Sequence, residues 1–315
     1  MVQPSRAIRI SRCAVICGLR LYFAFLALTV SAVPPANSAA PGGFSFITAG
    51  DMRNYLGPLA GGKRQFDGLC DAVKGVGQGE FMISPGDCDP PSAVRATIDQ
   101  HLGTNYLWYP VVGNHDIEAA TNIAWLRGWA SNGIPHLVQH GPKGAELTIY
   151  SFDFGNSHFI ALNDYYDGRS DAIGRGDVPE AALDWLAKDL ASTHQPVIWV
   201  IGHKPIQSMP DMDSGRLRHS DDSVSASGTQ RERFVQLLRQ FRVRAYICGH
   251  THNCSIARIE GVWQTDSGHA RGAGDIGSPS TFLRFRVSDE NAWVDVFRSD
   301  TNGVEYKLRE TVELK

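Results

Sequence analysis

Five short apolar runs in this chain each lead into a glycine followed by a residue able to ligate a metal. FSFITA (44–49) runs into Gly50-Asp51, and FMIS (81–84) runs through Pro85 into Gly86-Asp87. WYPVV (108–112) ends in Gly113-Asn114-His115-Asp116, VIWVI (197–201) in Gly202-His203, and AYIC (245–248) in Gly249-His250-Thr251-His252. Apolar runs of this length bounded by turn residues read as strands, and VIWVI is apolar enough to be buried on both faces. In α/β sheets the carboxyl ends of strands open into the crevice where ligands bind. A glycine at that point lets the backbone turn sharply. The pattern therefore demands a fold that brings five distant segments to one sheet edge.

Helical stretches separate the runs. They are expected at Lys63 to Val73, at Ser92 to Leu102 with Val94, Ile98 and Leu102 on one face, and at Ile123 to Ala130. Pro179 opens the clearest one, PEAALDWLAKDL, whose Leu183, Leu186 and Leu190 share a stripe. A further helix is expected at Gln230 to Phe241. Leu147 to Phe154 and His158 to Leu162, joined at Gly155-Asn156, read as a hairpin. After Asn253 the pattern turns to strands: Ser255 to Gln264, Thr281 to Val287, Ala292 to Phe297 and Tyr306 to Val312. A β-α-β-α core with a β-rich end predicts an α/β protein in which a second sheet packs on the first. The polar stretch 207–229 has no periodicity and reads either as a lid over a site or as a mobile loop.

Composition narrows the function classes. A chain that is 43% hydrophobic with a net charge of -3 can bury a core, which excludes disorder. With 30 Lys and Arg against 33 Asp and Glu, it is no basic nucleic-acid binder. The average conceals an atypical start: residues 1–39 hold Arg6, Arg9, Arg12 and Arg20, no acidic residue, an apolar run from Leu21 to Val33, and then PPANSAA. This is the layout of a secretory signal peptide cleaved after Ser38 or Ala39. The apolar run is shorter than the roughly 20 residues of a membrane span, and an uncleaved anchor is the alternative. The expected division is a signal peptide at 1–39 and one domain at 40–315, exported to the periplasm or secreted. Cleavage removes four of the 30 basic residues and none of the 33 acidic ones, taking the net charge from -3 to -7. It also leaves Cys70, Cys88, Cys248 and Cys254, open to three disulfide pairings or to roles as buried free thiols.

Carboxylates, an amide oxygen and neutral imidazoles together suit divalent Mn, Fe or Zn. In Gly249-His250-Thr251-His252, alternation along an extended segment points both imidazoles the same way. The ordered set from Asp51 to His252 resembles the calcineurin-like metallophosphoesterase family. That resemblance implies a four-layer αββα sandwich of two mixed β-sheets flanked by helices. It implies two divalent metal ions (Mn, Fe or Zn) and hydrolysis of a small-molecule phosphomonoester or phosphodiester by a metal-activated hydroxide. Motif by motif, Asp51 and His252 belong to the first metal, Asp87 bridges both, and Asn114, His203 and His250 complete the second. His115 faces the substrate, neutralising charge and protonating the leaving oxygen, with Asp116 orienting it. Neither a nucleic-acid partner nor, after cleavage of the leader, a membrane span is expected. The alternatives are a catalytically impaired metal-binding protein with a binding role, and a nucleotide-specific diesterase or pyrophosphatase.

The first motif departs from the family pattern. Asp-x-His is replaced by Asp51-Met52-Arg53, and a guanidinium has no lone pair for a metal. A Tyr that substitutes for the missing His elsewhere in the family, shortly after the second motif, is absent from Cys88-Asp89-Pro90-Pro91. Arg53 then grips a substrate phosphate, pairs with Asp89, or replaces the charge of a missing first metal. His219, beside Asp221 and Asp222, reaches the site only if the 207–229 stretch is a lid.

Overall fold

Phe46, Phe81, Phe159, Trp199 and Phe285 come from five different strands and meet in one interior. Phe46 stacks on Phe285 at 4.6 Å between centroids and on Phe81 at 5.2 Å, while Phe159 and Trp199 meet it edge-on. The computed structural model describes residues 43–52, 65–224, 228–270, 278–300 and 305–315, all within one unit, Asn37–Lys315. Both the leader and Arg53 lie outside the described residues.

In chain order the strands are β1 (Phe44–Thr48), β2 (Phe81–Ser84), β3 (Leu107–Pro110), β4 (Leu137–His140), β5 (Tyr150–Phe154), β6 (Ser157–Ala161) and β7 (Val197–Ile201). They continue as β8 (Ala245–Cys248), β9 (Cys254–Ile259), β10 (Val262–Ser267), β11 (Thr281–Ser288), β12 (Asn291–Ser299) and β13 (Tyr306–Glu313). The helices are α1 (Gln65–Val76), α2 (Pro91–His101), α3 (Asn114–Glu118), α4 (Ala120–Ser131), α5 (Glu180–Ser192) and α6 (Thr229–Gln240).

Two mixed sheets result. One is ordered β13-β12-β11-β1-β2-β3, with β1, β2 and β3 parallel and β11 antiparallel to β1. The other is ordered β4-β5-β6-β7-β8-β10-β9, with β6, β7, β8 and β10 parallel. The aromatic cluster lies between the sheets. Ile47, Met82, Trp108 and Phe282 face outward from the first sheet onto Phe66, Leu69 and Val73 of α1 and Val94 and Ile98 of α2. Ile160, Val200 and Tyr246 face outward from the second onto Leu183 and Leu186 of α5 and Phe234 and Leu238 of α6. Helices therefore flank both sheets, giving the expected αββα layering. The central strands β2, β7 and β8 are buried along their whole length and have two apolar faces to satisfy, which is why these parallel runs show no polar alternation.

Three local elements differ from the expectation. Ser255 to Gln264 is not one strand but the β9–β10 hairpin, turning at Glu260 and Gly261, both with positive φ (49° and 88°). Edge strand β4 and the one-turn helix α3 were not expected. The four cysteines are separate buried thiols, and burial pushes Cys70, Cys88 and Cys248 well above the usual thiol pKa. No helix among the described residues is long and apolar enough to cross a membrane.

The irregular stretch after β7 is tied down rather than loose along 207–224. The Asp211 carboxylate accepts from the Cys254 N–H (3.0 Å), the Ser278 hydroxyl (2.8 Å) and Arg298 Nη2 (2.7 Å). Those contacts anchor the segment to both sheets, and its second half reaches the ends of β7 and β8 through Asp222, which pairs with Lys204 and His250.

Candidate metal centre

The turns that follow β1, β2 and β8 adopt backbone conformations that most residues avoid. Asp51 (φ 53°), Asp87 (φ 55°), His250 (φ 71°) and His252 (φ 58°) are all left-handed, a costly state for residues with a Cβ that tends to be retained at functional sites. Close approach explains two of the flanking glycines. A Cβ on Gly86, itself at φ 92°, would lie 2.2 Å from His203 Nδ1, and one on Gly249 would lie 2.5 Å from Asp51 Oδ2. With no side chain at 249, the His250 N–H reaches the Asp51 carboxylate at 3.0–3.1 Å.

Three atoms from three separate strand ends converge beside Asp87. Asn114 Oδ1 lies 3.1 Å from both His203 Nε2 and His250 Nδ1, and those two nitrogens are 3.2 Å apart. The other nitrogen of each ring fixes its tautomer. His203 Nδ1 sits 2.8 Å from the Pro85 carbonyl, which can only accept, so the His203 proton is on Nδ1. His250 Nε2 sits 2.8 Å from Asp222 Oδ2. The hydrogen bond from His250, with Lys204 behind it, holds that carboxyl well below its usual pKa, so it accepts and the His250 proton is on Nε2. Burial also pushes the His250 pKa down to about 4, keeping the ring neutral. Three lone-pair-bearing atoms thus face one another with Asp87 Oδ1 3.5 Å from His203 Nε2. Such a convergence is repulsive by itself and fits a divalent cation, the group this donor set favours.

A second convergence adjoins it. Asp51, Asp87 and His252, all buried, each offer a ligand atom within 4.8 Å of the others, and His252 Nε2 lies 3.4 Å from Asp51 Oδ1. Asp87 belongs to both groups. Although burial raises its pKa, His203, His115, the His115 N–H and His250 outweigh that and hold its carboxyl below the usual value. The six residues singled out as ligands from sequence, Asp51, Asp87, Asn114, His203, His250 and His252, therefore come together at one edge of the two sheets.

His115 flanks this edge. Its backbone N–H donates to Asp87 Oδ1 at 2.9 Å, and its ring Nε2 lies 3.8 Å from Asp87 Oδ2. The ring is oriented by Glu118, whose Oε1 is 2.8 Å from Nδ1. Asp116, expected to orient it, is turned inward instead. Its Oδ2 accepts the Gly113 N–H at 2.7 Å and its Oδ1 has no hydrogen-bond partner among the described residues. Burial and the neighbouring Asp87 push its pKa well above the usual value. Asp116 thus closes the Gly113 turn as an N3 acceptor on a one-turn helix, a role set by backbone geometry.

Several residues at the site escaped sequence reasoning. Glu118 is three residues from His115, a spacing that becomes meaningful once NHDIE is read as a helical turn. Asp164 Oδ2 accepts the N–H groups of His203 and Lys204, both at 2.7 Å, and so shapes the β7 strand end. Arg218 arrives from the irregular segment, where no periodicity marks it, and so does Asp222, which the sequence offered only as a neighbour of His219 in a stretch that could act as a lid. Arg218 Nη1 lies 2.8 Å from His252 Nδ1.

Comparison with known proteins agrees with this geometry. The family model described as calcineurin-like phosphoesterase matches residues 45–254. Tartrate-resistant acid phosphatase type 5 of Oryctolagus cuniculus is 27% identical over 245 residues, covering 67% of this chain and 69% of that protein. The Rattus norvegicus protein of the same name is 25% identical over 204 residues, covering 60% of this chain and 58%, less than two thirds, of its own. Among solved structures, PhoD superposes with a TM-score of 0.59 at 12% identity, covering 86% of this chain and 70% of that one. GAP50, described as the anchor in the inner membrane complex of Plasmodium, superposes with a TM-score of 0.53 at 13% identity, covering 86% and 88%. Because the match runs from the second residue of β1 to the first residue of β9, and takes in all six converging residues, the chain belongs to the calcineurin-like phosphoesterase family.

Proposed function

We propose that this protein is an exported, metal-dependent phosphoester hydrolase acting on a small-molecule monoester or diester. The observation that carries the reading is the meeting of Asn114 Oδ1, His203 Nε2 and His250 Nδ1 within 3.1–3.2 Å, with both imidazole protons directed away from the meeting point. Asp87, Asn114, His203 and His250 would hold one divalent ion, and Asp51, Asp87 and His252 a second. When bound, such ions supply positive charge to phosphoryl oxygens and acidify a water molecule.

The protein's own groups define the rest. Glu118 turns the His115 ring so that Nε2 stands on the Asp87 side of the site, where it meets a substrate oxygen and delivers a proton to the leaving group. Asp164 holds the His203 turn rigid, and Asp222 keeps the His250 proton on the outer nitrogen. Arg53, two residues after Asp51, is assigned to a substrate phosphate, for which its planar fork is suited. Export rests on the basic and apolar layout of residues 1–39.

The test is hydrolysis of p-nitrophenyl phosphate and bis(p-nitrophenyl) phosphate by protein loaded with Mn, Fe or Zn, with nucleotides as further substrates. Turnover that disappears on chelation and in His203→Ala supports the reading. Metal uptake without turnover on any substrate would instead mark a metal-binding protein that has lost catalysis. N-terminal mass analysis of the expressed protein tests cleavage after Ser38 or Ala39.

A further inference from the structure

Arg218 stands on the outer face of His252, with Nη1 2.8 Å from Nδ1. A guanidinium only donates, so Nδ1 accepts and the His252 proton lies on Nε2. That nitrogen faces Asp51 Oδ1 at 3.4 Å. The arrangement is the reverse of the one at His203 and His250, where the proton points away from the converging ligand atoms. For His252 to ligate through Nε2, its proton must move to Nδ1, where it would meet the donor hydrogens of Arg218. The guanidinium charge would then also oppose the incoming cation.

We infer that Arg218 makes the two metal positions unequal: the His203 side binds its ion first and tightly, and the Asp51–His252 side binds only weakly because Arg218 holds His252 in the tautomer that cannot ligate. The inference rests on the metal-dependent reading above and deepens it. Two further observations support it. Arg218 is not a loosely placed side chain, because its neighbour Arg216 anchors the same stretch through Nη2 to the His252 carbonyl (2.9 Å) and through Nε to Asn253 Oδ1 (3.1 Å). Among the described residues the weak side is also poorer in donors: Asp51, Asp87 and His252 stand against Asp87, Asn114, His203 and His250.

The experiment is calorimetric titration of metal-free full-length protein with MnCl2, with electron paramagnetic resonance to distinguish isolated from exchange-coupled Mn(II). Wild type should take one equivalent tightly, with an isolated-ion signal, and a second much more weakly. In Arg218→Met the opposing donor is gone, and in Arg218→Gln an amide oxygen can accept from His252 Nδ1. Both should tighten the second equivalent by about 10–100-fold, the usual reach of groups that orient a metal-ligating histidine, and show coupled spins at two equivalents. The tight equivalent, unchanged in both variants, reports that they are folded. Two equal equivalents in wild type, or no tightening in either variant, would each overturn the inference while leaving the metal reading intact. Absence of any tight equivalent, with His203→Ala indistinguishable from wild type, would overturn the metal reading itself.

Discussion

His250 Nε2 and Asp222 Oδ2 meet at 2.8 Å across 28 residues of chain, and Lys204 clasps the other oxygen of the same carboxylate. The pair turns the His250 lone pair inward, toward Asn114 and His203. A ring free to flip would swing Nδ1 away and turn Cδ2 toward Asn114 and His203, so the carboxylate supports the candidate metal site by fixing the ring. Asp222→Leu should therefore lower Mn2+ affinity about 10–100-fold. Asp222→Asn should lose less, because an amide oxygen still accepts from Nε2. Metal content after dialysis at fixed free Mn2+ measures both, and an Asp222→Leu protein that retains its metal would count against the assignment.

His115 and Asp87 should fail in different ways. His115 touches the site through its ring and Asp87 through shared ligand atoms. His115→Ala should cut kcat on p-nitrophenyl phosphate about 10²–10⁴-fold, the scale of a proton-transfer group, with metal content unchanged. Asp87→Asn should reduce the metal content itself. Glu118→Ala, which removes the orienting partner, should fall between wild type and His115→Ala in kcat. The opposite ranking of metal loss would show that His115 is a ligand.

Gly86 cannot be replaced without moving His203. Its φ of 92° disfavours any side chain, and a Cβ would come within 2.2 Å of His203 Nδ1. Gly86→Ala should cost at least about 1–3 kcal/mol of stability from backbone strain alone. It should also loosen the His203–Pro85 hydrogen bond, so that metal affinity drops with Tm. A variant with lowered Tm but unchanged metal affinity would separate the turn from the site.

His158 gives the fold a pH dependence of its own. It is fully buried between Asp153 (2.6 Å) and Asp189 (2.9 Å). Burial alone lowers its pKa, but the hydrogen bonds to Asp189 and Asp153 outweigh that and leave it raised. Because the folded-state pKa exceeds the unfolded value of about 6.5, this stabilisation is complete below about pH 6.5 and is lost as pH rises through the folded-state pKa. The urea-unfolding difference between wild type and His158→Gln should accordingly be largest in mild acid and shrink toward alkaline pH. A difference that grows with pH would contradict the pairing.

Much of the architecture was legible because it is written in local pattern. The strand ends at Asp51, Asp87, Asn114, His203 and His250 follow apolar runs too short for ordinary helices and bounded by turn residues, and β2, β7 and β8 begin and end where expected. The β9–β10 hairpin was missed because its turn is Glu260-Gly261. A two-residue turn with positive φ at both positions is normally announced by Asn or Asp before Gly, and Glu carries no such signal. Strand β4 alternates between half-buried and exposed residues over only four positions, too few to distinguish from loop. Asp116 was misassigned for a related reason: adjacency to His115 suggested contact, but successive residues on a helical turn point in different directions, and Glu118 at i+3 shares the His115 face.

The chain's own order of residues determined which side chains converge, because each candidate ligand follows the end of a strand and strand ends of a layered α/β fold face a common edge. What only the folded molecule decided is the state of those side chains. Asp222 and Arg218 lie 28 and 34 residues from the histidines they touch, in a segment with no periodicity, placed by the anchoring of Asp211 to Arg298 and Cys254. Which nitrogen of an imidazole carries its proton depends on the donor or acceptor that packing brings against the far side of the ring. That neighbour is a long-range contact, and no local pattern encodes it.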